Sequence, residues 1–354
     1  MPTSAYGVTM RLLVLGGSVF VSAAVVRHAL AAGHDVTAVT RGLHGTVPDG
    51  VTHVRADRTA PDGLASVAGE AWDAVVDVSS QPGQVRSAVA QLATDGAHYL
   101  YVSSGSAYAD TATPGLTEDG PLLPALAGDA LESMADYGGA KVACERAVLD
   151  GASRATVVRP GLIGGAGDTS GRSGYWPWRF AHPSGPAVLV PDAPDLLVQL
   201  IDVEDLAAWI VHLLDSGRTG VFNAVGHATP FPAALSAAHE AALAVGGGEQ
   251  AGAPDCGGGQ PGEPTLVAVD GPWLAAHEVA PWAGPRSMPL WLDDPEWAGF
   301  GARSNVAALA AGLRLRPLAE TFAATLRWHE TVGGVPTSGL SDEDERELLA
   351  LASS

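Results

Sequence analysis

The feature that most constrains the fold is a short unit near the start of the chain. Residues 11–15 form an apolar run that ends in Gly16 and Gly17. A helix is predicted over about residues 20–32, and residues 35–40 (Asp-Val-Thr-Ala-Val-Thr) are predicted to form a second strand. Two strands joined through a helix within about 30 residues lie parallel, with the helix on one face of their sheet. The start of the chain therefore predicts an α/β fold.

The alternation of strands and helices continues further along the chain. This order predicts a Rossmann-type α/β fold, in which a doubly wound parallel sheet carries helices on both faces. A glycine- and proline-rich stretch over residues 246–264 is predicted to be a flexible surface loop. The further strands are predicted at residues 52–56, 74–78, 99–102 and 155–158, and the helices over about residues 83–95, 137–149 and 203–216.

The same patterns divide the chain into regions. We predict a Rossmann domain over residues 11–165 and a smaller C-terminal substrate lobe over residues 166–340. The lobe is expected to be interleaved with the sheet near residues 199–225. Residues 1–10 are expected to be a disordered extension, and the acidic segment 341–354 is predicted to form a tail helix.

Composition argues against several kinds of partner. With 354 residues, 47% of them hydrophobic, the chain can bury a substantial core. A formal net charge of −20 opposes binding to nucleic acid and to anionic membranes, which attract basic surfaces. Cys144 and Cys256 provide no disulfide framework, which is typical of a reducing cytoplasm. The histidines show no metal-binding spacing, so we predict no structural metal.

The glycine turn after the first strand is the candidate cofactor site. Such a turn lets the backbone approach a pyrophosphate, whose charge is attracted to the N-terminus of the following helix. Against a Gly-x-x-Gly-x-x-Gly pattern only Gly16 is kept, because Val19 and Ser22 occupy the second and third glycine positions. The place of the turn between strand and helix still predicts dinucleotide binding. The alternative is a related fold that has lost its ligand.

Residues after the second and third strands indicate which dinucleotide binds. Thr40 and Arg41 stand where an acidic residue would bind the 2′-hydroxyl of the adenosine ribose. An arginine there suits a 2′-phosphate, so we predict NADP, with NAD as the less favoured cofactor. The alternative is a solvated surface arginine. Asp57 is expected to accept a hydrogen bond from the adenine amino group.

A tyrosine and a lysine form the candidate catalytic pair. Lys141 is the only lysine in the chain, and it follows Tyr137 by four residues. In the predicted helix over residues 137–149 the two side chains lie on one face. An ammonium favours the phenolate, so we expect Lys141 to lower the pKa of Tyr137 and make it a general acid or base. The alternative is an amphipathic helix with one exposed lysine.

Three further segments carry a family resemblance. They are residues 101–108 (Tyr-Val-Ser-Ser-Gly-Ser-Ala-Tyr), 157–163 and 199–206. Together with the glycine turn and the tyrosine–lysine pair, they make the chain resemble the short-chain dehydrogenase/reductase superfamily. The resemblance is greater to its extended branch, the NAD-dependent epimerase/dehydratase family, and it runs from about residue 11 to residue 328.

The resemblance implies a catalytic set of Ser104, Tyr137 and Lys141. Ser104 would hydrogen-bond the substrate oxygen, Tyr137 would pass the proton, and Lys141 would bind the nicotinamide ribose. Hydride would then move between the nicotinamide and the substrate carbon. The predicted cofactor-binding residues are Gly16, Ser18, Val19, Phe20, Arg41, Asp57, Val78, Ser103, Pro160 and Leu162.

The resemblance also places a substrate site after residue 163. Arg172, Tyr175, Trp176 and Arg179 are the candidate substrate-binding residues. Aromatic faces stack on rings, and arginines bind phosphate or carboxylate. The alternative is that the tryptophans of this stretch pack the lobe and that Arg179 pairs with an acid.

Three functions remain open at this point. The first is an NADP-dependent reductase acting on a carbonyl or related group of a small metabolite, and the second is a nucleotide-sugar epimerase with retained NAD. The third is a non-catalytic nucleotide-binding regulator. Arg41 favours a dissociable NADP and therefore reduction, while Gly105 and Ser106 stand where a sugar dehydratase would carry an acidic pair. We expect a small-molecule substrate, no nucleic-acid or membrane partner, and, by analogy, a homodimer.

Overall fold

The computed structural model describes residues 9–94, 96–246, 265–292 and 294–353. The predicted disordered extension over residues 1–10 and the predicted loop over residues 246–264 fall almost entirely outside the described residues, and Cys256 lies outside them. Among the helices in the described part of the chain, none is both long enough and apolar enough to cross a membrane.

A seven-stranded parallel sheet forms the centre of the molecule. Its strand order is β11-β6-β5-β4-β1-β2-β3, and every neighbouring pair is parallel. The order reverses between β1 and β4, which opens a crevice at the carboxyl edge where doubly wound folds bind dinucleotides. The predicted Rossmann-type fold is thereby confirmed. The strands are β1 (Arg11–Leu15), β2 (Asp35–Thr40), β3 (Thr52–Arg55), β4 (Ala74–Asp77), β5 (His98–Val102), β6 (Arg154–Pro160), β7 (Leu162–Gly164), β8 (Ala187–Pro191), β9 (Leu197–Val198), β10 (Leu200–Asp202), β11 (Gly220–Ala224), β12 (Thr229–Pro230), β13 (Thr265–Val269), β14 (Ala280–Trp282) and β15 (Ser287–Pro289).

Helices cover both faces of the sheet. On one face α1 packs against α6, and their apolar side chains form one core with β1 and β4. On the other face α3 packs against α4, and Val85, Val89 and Val148 belong to a second core with β1 and β5. The helices are α1 (Phe20–Ala31), α2 (Ala65–Ala68), α3 (Pro82–Leu92), α4 (Tyr137–Gly151), α5 (Tyr175–Ala181), α6 (Val203–Asp215), α7 (Phe231–Gly246), α8 (Gly271–Ala276), α9 (Val306–Ala310), α10 (Leu318–Trp328) and α11 (Asp342–Ala352).

A third core lies within the C-terminal part of the chain. Trp176, Phe231 and Phe322, from α5, α7 and α10, are almost completely buried in it. The chain reaches this core twice, because β11 and α6 return to the central sheet between α5 and α7. The predicted boundaries at residues 165 and 340 stay predictions, since packing alone does not fix where one unit ends.

Candidate active site

Two cavities lie side by side along the carboxyl edge of the sheet and share Val19, Ser22 and Val78. The first, of about 820 Å³, follows the ends of β1, β2, β3 and β4, and we call it the glycine-turn cavity. The second, of about 890 Å³, follows the ends of β5 and β6 and the start of α4, and we call it the tyrosine–lysine cavity. The shared residues make the two cavities one continuous groove.

All of the predicted catalytic and cofactor-binding residues line this groove. The catalytic candidates Ser104, Tyr137 and Lys141 line the tyrosine–lysine cavity. The cofactor candidates in the glycine-turn cavity are Gly16, Ser18, Val19, Arg41, Asp57 and Val78. Those in the tyrosine–lysine cavity are Val19, Phe20, Val78, Ser103, Pro160 and Leu162.

The glycine turn keeps glycine where its backbone requires it. Gly16 and Gly17 have φ angles of +137° and +121°, and a Cβ on Gly17 would lie 2.9 Å from the Cβ of Ala38. Val19 has φ −138° and ψ 135°, an extended conformation that any residue adopts. Val19 therefore replaces the second glycine without backbone strain.

The N-terminus of α1 has no side-chain cap and can bind an anion. Val19 is the N-cap of α1 and makes no capping hydrogen bond through its side chain. The hydroxyl of Ser22, at the third glycine position, donates to the Val19 carbonyl at 2.9 Å, within the first turn of the helix. The first backbone N–H groups of a helix lack intrahelical partners. These groups fit the pyrophosphate of a dinucleotide.

The far end of the glycine-turn cavity is basic. Arg41 is exposed and lines the cavity. The guanidinium of Arg55, at the end of β3, lies against Gly42, where an added Cβ would be 2.6 Å from its Nε. The sequence analysis considered Arg41 alone, because the adjacency of β2 and β3 was needed to bring Arg55 beside it. Asp57 lines the same cavity, and hydrogen bonds from Thr59 lower the pKa of its carboxyl group.

A buried ion pair forms the floor of this cavity. Arg58 donates to both carboxylate oxygens of Asp77, at 2.9 and 2.7 Å, and the Tyr99 hydroxyl donates to Asp77 at 2.9 Å. Asp77 is fully buried. Burial raises the pKa of Asp77, but the charge of Arg58 outweighs it and holds this pKa below its usual value. The sequence analysis missed this pair, which fixes the loop that follows β4.

Lys141 occupies the junction of β4, β5 and α4. Its ammonium donates to the carbonyl oxygens of Ser79, at 3.2 Å, and Val102, at 2.9 Å. An ammonium has three donors, so one remains for a ligand in the cavity. The Nζ atom also lies 4.9 Å from the ring centroid of Tyr101 and 5.9 Å from that of Tyr137. These contacts suit a fixed donor to a ribose hydroxyl.

The protonation of the pair differs from our expectation. Burial raises the pKa of Tyr137, although hydrogen bonds with Ser104 and Ser80 oppose the rise. Burial also lowers the pKa of Lys141 to about 8. We expected Lys141 to lower the pKa of Tyr137, but the ammonium faces two backbone carbonyls and desolvation of the phenolate has the larger effect. Burial of Tyr137 therefore favours its protonated phenol by raising the pKa.

A buried polar network supports the serine loop. The hydroxyl of Ser103 donates to the Glu145 carboxylate, and Arg159 donates to the same carboxylate at 3.0 and 2.7 Å. Arg159 also donates to the Tyr108 hydroxyl at 2.9 Å, and Tyr108 donates to Asn223 at 2.6 Å. The network joins α4, β6 and β11 behind Ser104, and it positions Ser104 without touching the cavity centre.

The predicted substrate-binding residues do not all reach the groove. Arg172 lines the tyrosine–lysine cavity, whereas Tyr175, Trp176 and Arg179 are buried in the C-terminal core. Trp176 donates to the Pro289 carbonyl at 2.7 Å. Arg179 pairs with Asp342 at 2.7 Å and also contacts Glu345. The geometry agrees with the alternative, that the aromatic residues pack the lobe and Arg179 pairs with acids.

Other residues of the C-terminal part take their place in the cavity wall. Trp282, Trp297, Phe300 and Arg303 also line the tyrosine–lysine cavity. Trp282 and Trp297 each contact Phe300 edge to face, at centroid distances of 5.1 and 5.6 Å. The sequence analysis missed this wall, since nothing in its pattern of aromatics marks it as a binding surface. Among the described residues, no group of three or more His, Cys, Asp or Glu side chains could hold a metal ion.

Comparison with known proteins gives one relative by sequence. No protein-family model matches the chain. The 2'-dehydrokanamycin reductase of Streptomyces kanamyceticus is 32% identical over 237 residues, which are 63% of this chain and 64% of the relative. The chain therefore aligns with less than two thirds of that protein's length.

Comparison with solved structures concerns the fold. The UDP-Glc/GlcNAc 4-epimerase of Campylobacter jejuni is 14% identical, with a TM-score of 0.63 over 91% of this chain and 99% of that one. The enzyme WbmH of Bordetella bronchiseptica, solved in complex with NAD+, is 16% identical, with a TM-score of 0.59 over 92% of this chain and 99% of that one. The chain has the same Rossmann-type fold as these two solved proteins. The resemblance predicted from the sequence is thus confirmed at the level of the fold.

In this fold the groove has two chemically different halves. The glycine-turn half presents backbone N–H groups and the exposed Arg41, which fit the phosphates of a dinucleotide. The tyrosine–lysine half presents two hydroxyls and an ammonium together with a wall of aromatic side chains. A ligand that spans both halves would bring its far end to Tyr137.

Proposed function

We propose that the chain is an NAD(P)-dependent oxidoreductase that transfers hydride to a carbonyl or related group of a small metabolite. The observation that carries the proposal is the meeting of Ser104, Tyr137 and Lys141 in a cavity continuous with the glycine turn. The name of the sequence relative, a reductase, supports the direction of the reaction.

Each of the three residues has a defined task in this reaction. Tyr137 gives its phenolic proton to the substrate oxygen, and the raised pKa keeps that proton in place before the reaction. Ser104, which hydrogen-bonds Tyr137, donates to the same substrate oxygen. Lys141 offers its third donor to a ribose hydroxyl and so orients the nucleotide. Hydride transfer from C4 is the chemistry that the bound nicotinamide supplies.

NADP is the cofactor that the basic end of the groove favours. Arg41 lines the cavity just after β2, where the adenosine ribose of a dinucleotide would lie, and Arg55 at the end of β3 lies against the neighbouring Gly42. Two guanidinium groups favour a 2′-phosphate over a hydroxyl. Proteins of the same fold solved in complex with NAD support a nicotinamide dinucleotide in general and leave this choice open.

Epimerisation is the second candidate, because several proteins of the same fold are named epimerases. An epimerase returns the hydride to its own substrate and keeps its nucleotide, whereas a reductase exchanges it. A nucleotide that stays bound through purification therefore favours epimerisation. A non-catalytic regulator would have no need of a buried lysine between two carbonyls beside a tyrosine.

The first experiment measures nucleotide binding. NADPH and NADH are titrated into the full chain, with nicotinamide fluorescence as the signal, for the wild type and for Arg41→Met. We expect NADPH to bind about ten-fold or more tightly than NADH, and the variant to lose most of this difference. Equal binding of both nucleotides would overturn the assignment of NADP as the cofactor. Binding of neither nucleotide would overturn the proposal that the chain is an NAD(P)-dependent oxidoreductase.

The second experiment measures turnover. NADPH oxidation is followed with a panel of ketones that includes 2′-dehydrokanamycin, the substrate in the relative's name. Tyr137→Phe tests the proton donor, and the exposed Arg346→Met serves as a control remote from the groove. Turnover that survives Tyr137→Phe would refute the assigned mechanism. Retained NAD without NADPH oxidation would direct the search to sugar nucleotides.

The oligomeric state and the cellular location are also proposals. We propose a homodimer in which α4 faces a second copy, because Leu149 on α4 is 43% exposed beside the half-buried Ala147. Light scattering of the purified chain tests this, and a monomer would refute it. The cytoplasmic location rests on the low cysteine content of the sequence.

A further inference from the structure

Arg303 is a buried cation that lacks a hydrogen-bond partner. Its side chain is 3% exposed and lines the tyrosine–lysine cavity. Among the described residues, none accepts a hydrogen bond from its Nε, Nη1 or Nη2 atom. Buried polar groups are nearly always hydrogen-bonded, and a buried charge without a partner costs several kcal/mol. A group of this kind inside a cavity calls for a ligand.

The guanidinium is held in place by stacking. It lies over the ring of Phe300, at 4.8 Å from the centroid, and over the ring of Tyr108, at 5.3 Å. It also lies against Gly105, where an added Cβ would be 2.3 Å from Nη1. Stacking fixes the plane of the fork but leaves its five N–H donors unused. The guanidinium is therefore held between two rings while its donors remain unpaired.

A second guanidinium stands on the same aromatic wall. Arg172 lies over the ring of Trp282, at 5.1 Å from the centroid, and Trp282 contacts Phe300 edge to face. Its guanidinium donates a hydrogen bond from Nε to Ser170 at 3.1 Å, and it also interacts electrostatically with Asp168 and Tyr137. Arg172 and Arg303 thus flank two aromatic rings in one cavity.

The charge of the cavity is positive in a strongly acidic chain. Among the described residues that line it, the charged side chains are Lys141, Arg172, Arg303 and Asp168. Asp168 is buried and already accepts hydrogen bonds from Ser170 and Ser173, at distances from 2.6 to 3.1 Å. The chain as a whole has a net charge of −20. The cavity therefore attracts anions and disfavours amines.

We propose that the substrate of this protein is an anion whose carboxylate or phosphate group binds Arg303, with Arg172 as a second contact across the aromatic wall. Arg303 lies against Gly105, the residue that follows Ser104 in the chain. An anionic group on Arg303 would therefore lie close to the reacting carbon. A bidentate guanidinium–oxyanion contact gives both affinity and a fixed orientation. The anion site rests on the proposed function only where it places the anion near a reacting carbon. The site itself is tested by ligand binding alone.

The test compares four sugars that differ in one group. Glucose, glucose 6-phosphate, glucuronate and glucosamine are titrated into the full chain by calorimetry. We expect one or both of the anionic sugars to bind about ten-fold or more tightly than glucose, and glucosamine to bind no better than glucose. A preference for the phosphate or for the carboxylate identifies the source of the anion. Equal affinity for all four, or tighter binding of glucosamine, overturns the proposal.

Two variants show whether Arg303 is responsible. Arg303→Met removes the charge and should abolish the preference for the anionic sugars, while Arg303→Lys keeps the charge, loses the fork and should retain part of it. The control Arg346→Met, at an exposed position of α11, should behave as the wild type. A preference that survives Arg303→Met overturns the assignment to this residue.

A stability measurement separates binding from a structural role. Without ligand, Arg303→Met should melt at or above the wild-type temperature, since it removes a buried charge and keeps an apolar side chain between two rings. A structural arginine would give a lower melting temperature. NADPH affinity should stay within about two-fold of the wild type in both variants, since Arg303 does not line the glycine-turn cavity. Loss of NADPH binding in the wild type, with the anion preference intact, would refute the proposed function and leave the anion site standing.

Discussion

Replacement of Glu145 by glutamine should cost the protein a large part of its stability. Glu145 is 1% exposed and its partner Arg159 is 3% exposed. The carboxylate accepts two hydrogen bonds from Arg159, at 3.0 and 2.7 Å, and one from Ser103. Glutamine has almost the same shape, so the change removes the charge and turns one acceptor into a donor that faces the guanidinium.

The expected magnitude follows from burial. Removal of one member of a buried ion pair leaves the other charge uncompensated and typically costs about 3–5 kcal/mol. Arg159 keeps its contacts with the Tyr108 hydroxyl and the Glu118 carbonyl, both at 2.9 Å, so the lower end of this range is expected. We therefore expect Glu145→Gln to lower the free energy of unfolding by about 3 kcal/mol.

The assay is guanidinium unfolding at equilibrium, followed by circular dichroism. The control is Glu70→Gln, because Glu70 pairs with Arg11 at the surface, where the side chains are 55% and 43% exposed. Loss of such a surface pair should cost less than about 1 kcal/mol. The double variant Glu145→Gln with Arg159→Met should be less destabilised than the sum of its single changes. A cost below about 1 kcal/mol for Glu145→Gln would refute the reasoning.

Three further predictions concern α4. Tyr137→Phe should lower kcat by about 100-fold or more and leave NADPH affinity unchanged, as shown by steady-state kinetics and fluorescence titration; unchanged kcat would exclude Tyr137 as the proton donor. Because burial holds the pKa of Lys141 at about 8 against 10.5 for a free lysine, the folded chain releases this proton first as pH rises. The unfolding free energy of the wild type, measured relative to Lys141→Met without nucleotide, should thus rise by about 3 kcal/mol between those pH values, and a flat difference would contradict the burial argument. Gly138→Ala should lower the free energy of unfolding, measured by urea denaturation, by about 1–3 kcal/mol, because the new Cβ would lie 2.3 Å from the carbonyl oxygen of Ser106. The control Gly69→Ala, which has open space around it, should be close to neutral.

The sheet was predictable because local pattern and tertiary burial agree along it. The runs predicted at residues 11–15 and 35–40 are the strands observed, and the helix predicted over residues 137–149 is α4 with two more residues. Strands buried on both faces read as continuous apolar runs, which a sequence displays directly. The tyrosine–lysine spacing was equally visible, since it lies within one helix.

The substrate side was less predictable, because the same side chains serve two purposes. Tyr175 and Trp176 looked like ligand-binding aromatics and lie in the core, whereas Phe300 lies in the cavity wall. Nothing local separates an aromatic residue that packs a core from one that lines a cavity. Arg303 can be recognised as a candidate binding residue only once the fold has brought it beside Gly105. The pKa of Tyr137 depends in the same way on burial, which the chain reveals only once folded.

The extended backbone at residue 19 has a kinetic consequence. A glycine at this position would let the pyrophosphate approach the turn closely, whereas the valine side chain stands 48% exposed where the two halves of the groove meet. We expect the extra bulk at that junction to shorten the residence time of a bound nucleotide rather than to prevent its entry. An enzyme that must exchange its coenzyme in every catalytic cycle gains from fast release, and one that recycles the same molecule does not. The identity of residue 19 would thus set how often the coenzyme leaves.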